Sequence, residues 1–192
     1  TGQADIRQYG AYPLTFWTNN LERLKINSAG NIYNSTSTTS TFYGNLTGNI
    51  GTQSGGSNAG FGYNALNALT SGAQNVGIGA FALQSINTGN TVVGYAAADA
   101  IGVGGMNYTV AIGSFALTAA TSTTNASVII GDAAAGNSVG FSSSVVIGHA
   151  AGYVQTSSNT VLIGYEAGYA NTGLYNNALG YQAMRNNTSG YQ

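Results

Sequence analysis

Outside its first 25 residues, this 192-residue chain has few side chains suited to acid–base chemistry. They are the carboxylates Asp99, Asp132 and Glu166 and the single histidine, His149. Glycoside hydrolysis needs two carboxyl groups a few ångströms apart across a sugar. No two of these are adjacent in sequence, and Asp132 and Glu166 lie two repeats apart, which strand spacing converts to roughly 10 Å. Three copies of His149 meeting on an axis could hold a transition metal. Its place just after a glycine is taken elsewhere by Tyr, Ala, Ser and Asp, so we read it as a solvent-facing or stacked side chain. Tyr63, Tyr95, Tyr165 and Tyr181 share that place. Exposed in a row they would stack on sugar rings; we expect them chiefly to form a ladder over the glycine turn. The runs "GIGA" and "GVGG" have no lysine and no following helix, so they do not cradle phosphate. Threonine holds no constant place, which disfavours a flat ice-binding array. We expect no catalytic residue, no bound metal and no cofactor.

The whole chain carries only four Lys and Arg and five Asp and Glu, a net charge of −1. That leaves no basic patch for nucleic acid. No apolar run approaches the roughly 20 residues of a membrane-spanning helix. There is no cysteine, hence no disulfide framework. The first residues, "TGQADIRQ", lack an initiating Met, and the sequence reads as a fragment. So little charge suits a rigid polymer better than a compact monomer.

The elements that position these residues are repeats. "NAGFGYNAL" at 58–66 returns as "NVGIGAFAL", "NTVVGYAAA", "TVAIGSFAL", "SVIIGDAAA", "SVVIGHAAG", "TVLIGYEAG" and "NNALGYQAM". The central glycines are Gly62, Gly79, Gly94, Gly113, Gly131, Gly148, Gly164 and Gly180, spaced 15 to 19 residues apart. Asn, Thr or Ser always stands four places before the glycine, and an apolar residue directly before it. Three places after it stands Ala65, Ala82, Ala97, Ala116, Ala134, Ala151, Ala167 or Ala183. A fixed motif with variable spacers is one unit stacked into coils. The short β-branched run is a strand. The glycine marks a sharp turn or positive φ. Alanine follows where a larger side chain would strike its copy about 4.8 Å away. The spacers "LTSGAQ", "QSINTG" and "YVQTSS" read as turn-rich loops.

A three-residue strand has two faces. We expect the residue directly before the glycine, and the one three before it, to point into the coil. The intervening residue then points out, and Val92, Ala111, Ile129, Val146, Leu162 and Ala178 form an apolar outer column. An uncharged outer face this long should be covered, and identical chains around an axis would cover it. A thicker monomer with a second sheet is the alternative, though coils of about 16 residues leave little chain for one.

The repeats "NVGIGAFAL", "TVAIGSFAL" and "SVVIGHAAG" resemble those of trimeric autotransporter adhesin heads over residues 58–192, in their Gly and Ala columns. That resemblance implies a left-handed parallel β-roll and a homotrimer; the residues by themselves reach only a cyclic oligomer. The period departs from the pattern, being longer and less regular. Near the N-terminus, "YPLTFWTNNLERLKINSAGNI" and "FYGNLTGNI" resemble segments of bacteriophage tail fibres and related viral fibre proteins.

The expected fold is therefore all-β: a left-handed parallel β-roll, or β-solenoid, in an intertwined homotrimeric fibre. Residues 1–33 form a β-hairpin collar, with strands Leu14–Thr18 and Leu21–Ile26 joined at Asn19-Asn20 and a further turn at "NSAGN". Residues 34–57 form an extended Ser/Thr/Gly-rich connector. Residues 58–192 form a shaft of eight coils that continues past the last residue. The expected role is structural and adhesive: a phage tail fibre segment that holds a receptor-binding tip and that contacts other tail proteins and host surface glycan or protein, extracellularly on the virion. The alternative is the head of a bacterial surface adhesin. A polysaccharide-degrading tailspike is disfavoured by the scattered carboxylates.

Overall fold

The computed structural model describes residues 12–18, 20–26, 32–33, 40–45, 47–48, 55–68, 71–84, 88–100, 105–119, 124–173 and 175–187. The turn expected at "NSAGN" and residues 34–39 of the expected connector lie outside them.

Near the N-terminus, β1 (Leu14–Thr18) and β2 (Leu21–Ile26) pair antiparallel, with the bounds the sequence suggests. Asn20 takes φ 57° at the tight turn between them, a conformation asparagine tolerates. The register shifts between Phe16 and Trp17, with Arg23 as the extra, bulged residue of β2. β3 (Ile32–Tyr33) adds antiparallel to β2.

The rest of the described chain is a β-solenoid. Nine three-residue strands stack in one parallel sheet: β4 (Thr41–Tyr43), β5 (Ala59–Phe61), β6 (Val76–Ile78), β7 (Thr91–Val93), β9 (Val110–Ile112), β11 (Val128–Ile130), β12 (Val145–Ile147), β13 (Val161–Ile163) and β14 (Asn177–Leu179). Neighbours pair with like position on like position, as Ile129 on Val146 and Val146 on Leu162. A short second ladder joins β8 (Met106–Asn107) to β10 (Thr124–Asn125).

The sheet starts one coil earlier than the repeats suggest. β4 pairs with β5 in register, and Gly44 has φ 133°, close to the 127–141° of the other turn glycines. Residues 40–45 thus belong to the roll and not to a connector. Thr47 stands where the other coils have alanine, which hides this copy in the sequence.

The two faces of each strand are the reverse of the expectation. Val92, Ala111, Ile129, Val146 and Leu162 have no exposed surface, and Ala178 has 2%. They fill the core of their own chain and are not an outward column. The outward residues flank them: Val76 and Ile78, Val110 and Ile112, Val128 and Ile130, Val145 and Ile147. Because side chains alternate with period two, a one-residue error in parity exchanges every inward residue for an outward one.

Inside each coil the middle strand residue shares space with the residue four after the glycine. A large partner always meets a small one: Gly60 with Leu66, Gly77 with Leu83, Ile129 with Ala135, Val146 with Gly152, Leu162 with Gly168. A Cβ on Gly168 would lie 2.7 Å from Leu162 Cδ2, and one on Gly60 3.1 Å from Leu66 Cδ1; the space over Gly77 is taken by Leu66 of the coil before, 3.0 Å away at Cγ. The alanine column, Ala65 to Ala167, is wholly buried beside them, and Ala183 packs against the core half-buried at the last coil.

The polar residue that opens each strand is also buried, and it bonds the next coil. The Oδ1 of Asn58 accepts from the backbone N–H and the Nδ2 of Asn75, each at 3.0 Å. Asn75 Oδ1 accepts the same pair of bonds from Asn90, and Asn90 Oδ1 accepts from the Thr109 N–H. Ser127, Ser144 and Thr160 continue the ladder with hydroxyls. Gln155, in a spacer read as loop, is buried as well; its amide nitrogen donates to Ser157 O at 2.7 Å.

Candidate functional site

The surface chemistry is carried by the turn after each strand. The turn glycines have φ near 135°, and a Cβ on Gly62 would lie 2.6 Å from the carbonyl oxygen of Gly79 in the next coil. Positive φ and close stacking together exclude any other residue there. The second and fourth residues after the glycine take left-handed conformations even where they are not glycine, as Phe81 and Leu83, Ala133 and Ala135, or Glu166. The resulting corners aim backbone groups along the stack: Phe81 N–H donates to Tyr63 O and Leu83 N–H to Ala97 O, on opposite sides of the same coil.

These corners display the first and second residues after the glycine in rows. Tyr63, Phe81, Tyr95 and Phe115 make a zigzag of edge-to-face contacts, with centroids 5.3, 6.0 and 5.4 Å apart. In the later coils His149, Tyr165 and Tyr181 stack nearly parallel, 5.2 and 5.3 Å apart. The tyrosines therefore do form ladders, through Phe81 in one case. All four remain open to solvent, from 44% exposed at Tyr165 to 74% at Tyr181. A parallel row runs beside them, with Tyr153 stacked on Tyr169 and the Arg185 guanidinium 4.9 Å from the Tyr169 ring centre. The repeat columns locate the tyrosines; Phe81 and Phe115, one place further along, are missed by following a single column.

The ionisable groups are occupied with each other along the stack. The Asp132 carboxylate lies 3.2 Å from His149 Nδ1. The Glu166 carboxylate accepts from Arg185 Nε and, at 2.9 Å, from Gln182 Nε2. The Arg185 bond, with help from Gln182, holds the Glu166 carboxyl below its ordinary range. Asp99 stands apart, its pKa raised by partial burial. Asp132 and Glu166 thus each have a different partner instead of facing one another. Among the described residues no three of His, Cys, Asp and Glu come together.

The flat side of the roll presents a different chemistry. Along the sheet, two outward columns of Val and Ile run side by side with neither charge nor hydrogen-bonding side chain from β9 to β13, and Ile78, Ile112 and Val161 are 36–40% exposed. At its first coils the face is aromatic, with Tyr43 stacked on Phe61 at 5.4 Å.

Comparison of the chain with protein-family models, with curated proteins and with solved structures finds no match.

Proposed function

We propose that the chain is a structural and adhesive segment of a phage tail fibre or a similar viral fibre, assembled as a parallel homotrimer of left-handed β-rolls. The observation that carries this reading is the outward face of the sheet. Val110, Ile112, Val128, Ile130, Val145 and Ile147 form a continuous apolar strip on a chain with almost no charge. Monomeric proteins rarely expose such a strip. Covering these six, each already partly shielded by the coils above and below, would contribute about 1 kcal/mol apiece at most. Summed over the face, that is comparable with the net stability of a domain, about 5–15 kcal/mol. A second copy matches the strip by construction, because every coil repeats the same outward chemistry at the same spacing. The number three and the handedness come from the resemblance to adhesin heads.

Light scattering should give a particle of three chains, each of 19.4 kDa. A folded 19.4 kDa species at micromolar concentration would remove the basis of the proposal. The second reading, a bacterial surface adhesin head, draws on the same Gly and Ala columns, which do stack as the resemblance implies. Antibody raised against the chain separates the two: labelling of phage particles supports the fibre, and labelling of uninfected bacterial cells supports the adhesin.

A further inference from the structure

The aromatic rim of the roll is interrupted at one coil. Its residues after the turn glycine are "DAAAGN", so neither Ala133 nor Gly136 carries a large side chain where adjacent coils have Phe115 and Tyr153. The result is a notch of about 370 Å³, lined by Phe115, Thr118, Ala119, Ala133, Gly136, Asn137 and Tyr153. Tyr153 lies against the glycine, since a Cβ on Gly136 would sit 2.9 Å from Tyr153 Cε2. Three coils are locked in register beneath it by Ala119 N–H to Gly136 O and Asn137 N–H to Tyr153 O, both 2.9 Å.

We infer that this notch binds a neutral pyranose ring of a surface saccharide. The volume is at the lower end for small-molecule sites, about 300–1,000 Å³, and suits a ring or two rather than a long ligand. A sugar presents one apolar C–H face and a rim of hydroxyls. Here Ala and Gly and the exposed ring of Phe115 meet the first; the Asn137 amide meets the second, with the Thr118 hydroxyl, which donates to Ala96 O at 3.3 Å, left to accept. No carboxylate, lysine, arginine or histidine lines the notch, so nothing there selects a charged sugar. The geometry also explains a local choice in sequence. The column that holds Ala133 holds Glu166 and Gln182 in the same left-handed conformation two and three coils on. A long side chain is therefore tolerated in that place; Ala96, Ala133 and Ala150 all keep it short, but only at Ala133 does the preceding residue, Asp132, also lack a ring.

The inference rests on the adhesive reading and sharpens it. The test uses saturation-transfer NMR on the full chain with a panel of probes: the methyl glycosides of glucose, galactose, mannose and N-acetylglucosamine. Ala133→Gln fills the notch with a side chain the fold already accepts, and Phe115→Ala removes a wall. At least one glycoside should give transfer to the unaltered protein. Phe115→Ala should weaken it about tenfold, as expected for one lost ring contact, and Ala133→Gln should abolish it with an unchanged melting temperature. Absence of transfer from every probe, or transfer that survives Ala133→Gln, overturns the site. A tyrosine-containing peptide that binds in a notch-dependent way where no glycoside does would also overturn it, in favour of a protein ligand. Light scattering on the same samples separates the two ideas. A trimer without sugar binding sinks only the site, and sugar binding by a monomer sinks only the fibre.

Discussion

At Gly148 two constraints coincide, and the last coil separates them. Its φ is 136°, and an added Cβ would lie 2.6 Å from the carbonyl carbon of Gly164. Gly180 has φ 127° but no atom within 4 Å of such a Cβ, because no described coil follows it. Gly180→Ala should therefore cost only backbone strain, about 1–3 kcal/mol. Gly148→Ala should cost that plus an overpacking term of similar size. Chemical denaturation of the two variants checks this, and equal losses would contradict the stacking role. The glycine requirement was readable in the sequence, since eight glycines share one frame, but only through its first cause, the turn; close stacking was expected at the alanine column and not at the glycine itself. A second prediction at this scale concerns acid. Glu166 has its pKa depressed in the folded chain by Arg185 and Gln182. Its contribution is thus complete above the unfolded carboxyl value, near 4.3, and is lost as pH falls through the lower folded value. Glu166→Gln should flatten the acid limb of a stability–pH curve in that window and leave the curve at pH 7–8 parallel to the original. An unchanged acid limb would show the pair to be inert.

Each coil is a fixed volume divided unequally between two residues, and the division changes from coil to coil. Leu162 faces Gly168, while three strands earlier in the same sheet the sizes are reversed, as Ala111 with Leu117 at φ 54°. Leu162→Ala alone should cost about 2–5 kcal/mol by leaving a cavity. Gly168→Leu alone should also destabilise, by overfilling. The double variant reproduces an arrangement the fold already contains, so its loss should be smaller than that of either single change. A double-mutant cycle with no coupling would refute the shared volume. This compensation is written in the sequence but lies in two columns that must be read together. The strand itself shows why the faces were harder to assign. In "VII", "VVI" and "VLI" all three residues are apolar, so alternation offers no parity. Only the closure of the coil decides which residue is enclosed, and it encloses the middle one. The first coil was obscured for a simpler reason, a threonine in the alanine column. The hairpin, by contrast, was legible to the residue, because Asn19-Asn20 is a turn signal between two clear strands.

The corrected faces set a prediction for the assembly. Ile130→Glu places a charge on the outward strip and should yield a folded chain of lower mass, by circular dichroism and light scattering together. Val146→Glu, one coil away but enclosed, should abolish folding, because an unpaired carboxylate in that core is far more costly. If both behave alike, the flat face is not an interface. The polar ladders and corner bonds have a separate mechanical meaning. The bonds that run from coil to coil lie along the stacking axis and are loaded lengthwise when the roll is pulled from its ends, whereas the short turn bonds within a coil, such as Ala151 N–H to Gly148 O, are not. Between the coils of Gly148 and Gly164, donors at Gly152, Val154, Thr156, Gly164 and Glu166 all cross the same gap. They share a load in parallel, whereas successive gaps carry it in series. Such a rod resists extension until one gap fails, and then releases a whole coil at once. Each release frees about 16 residues, roughly 50 Å of chain at full extension, so a force–extension trace should be a regular sawtooth with that step and not a smooth yielding curve.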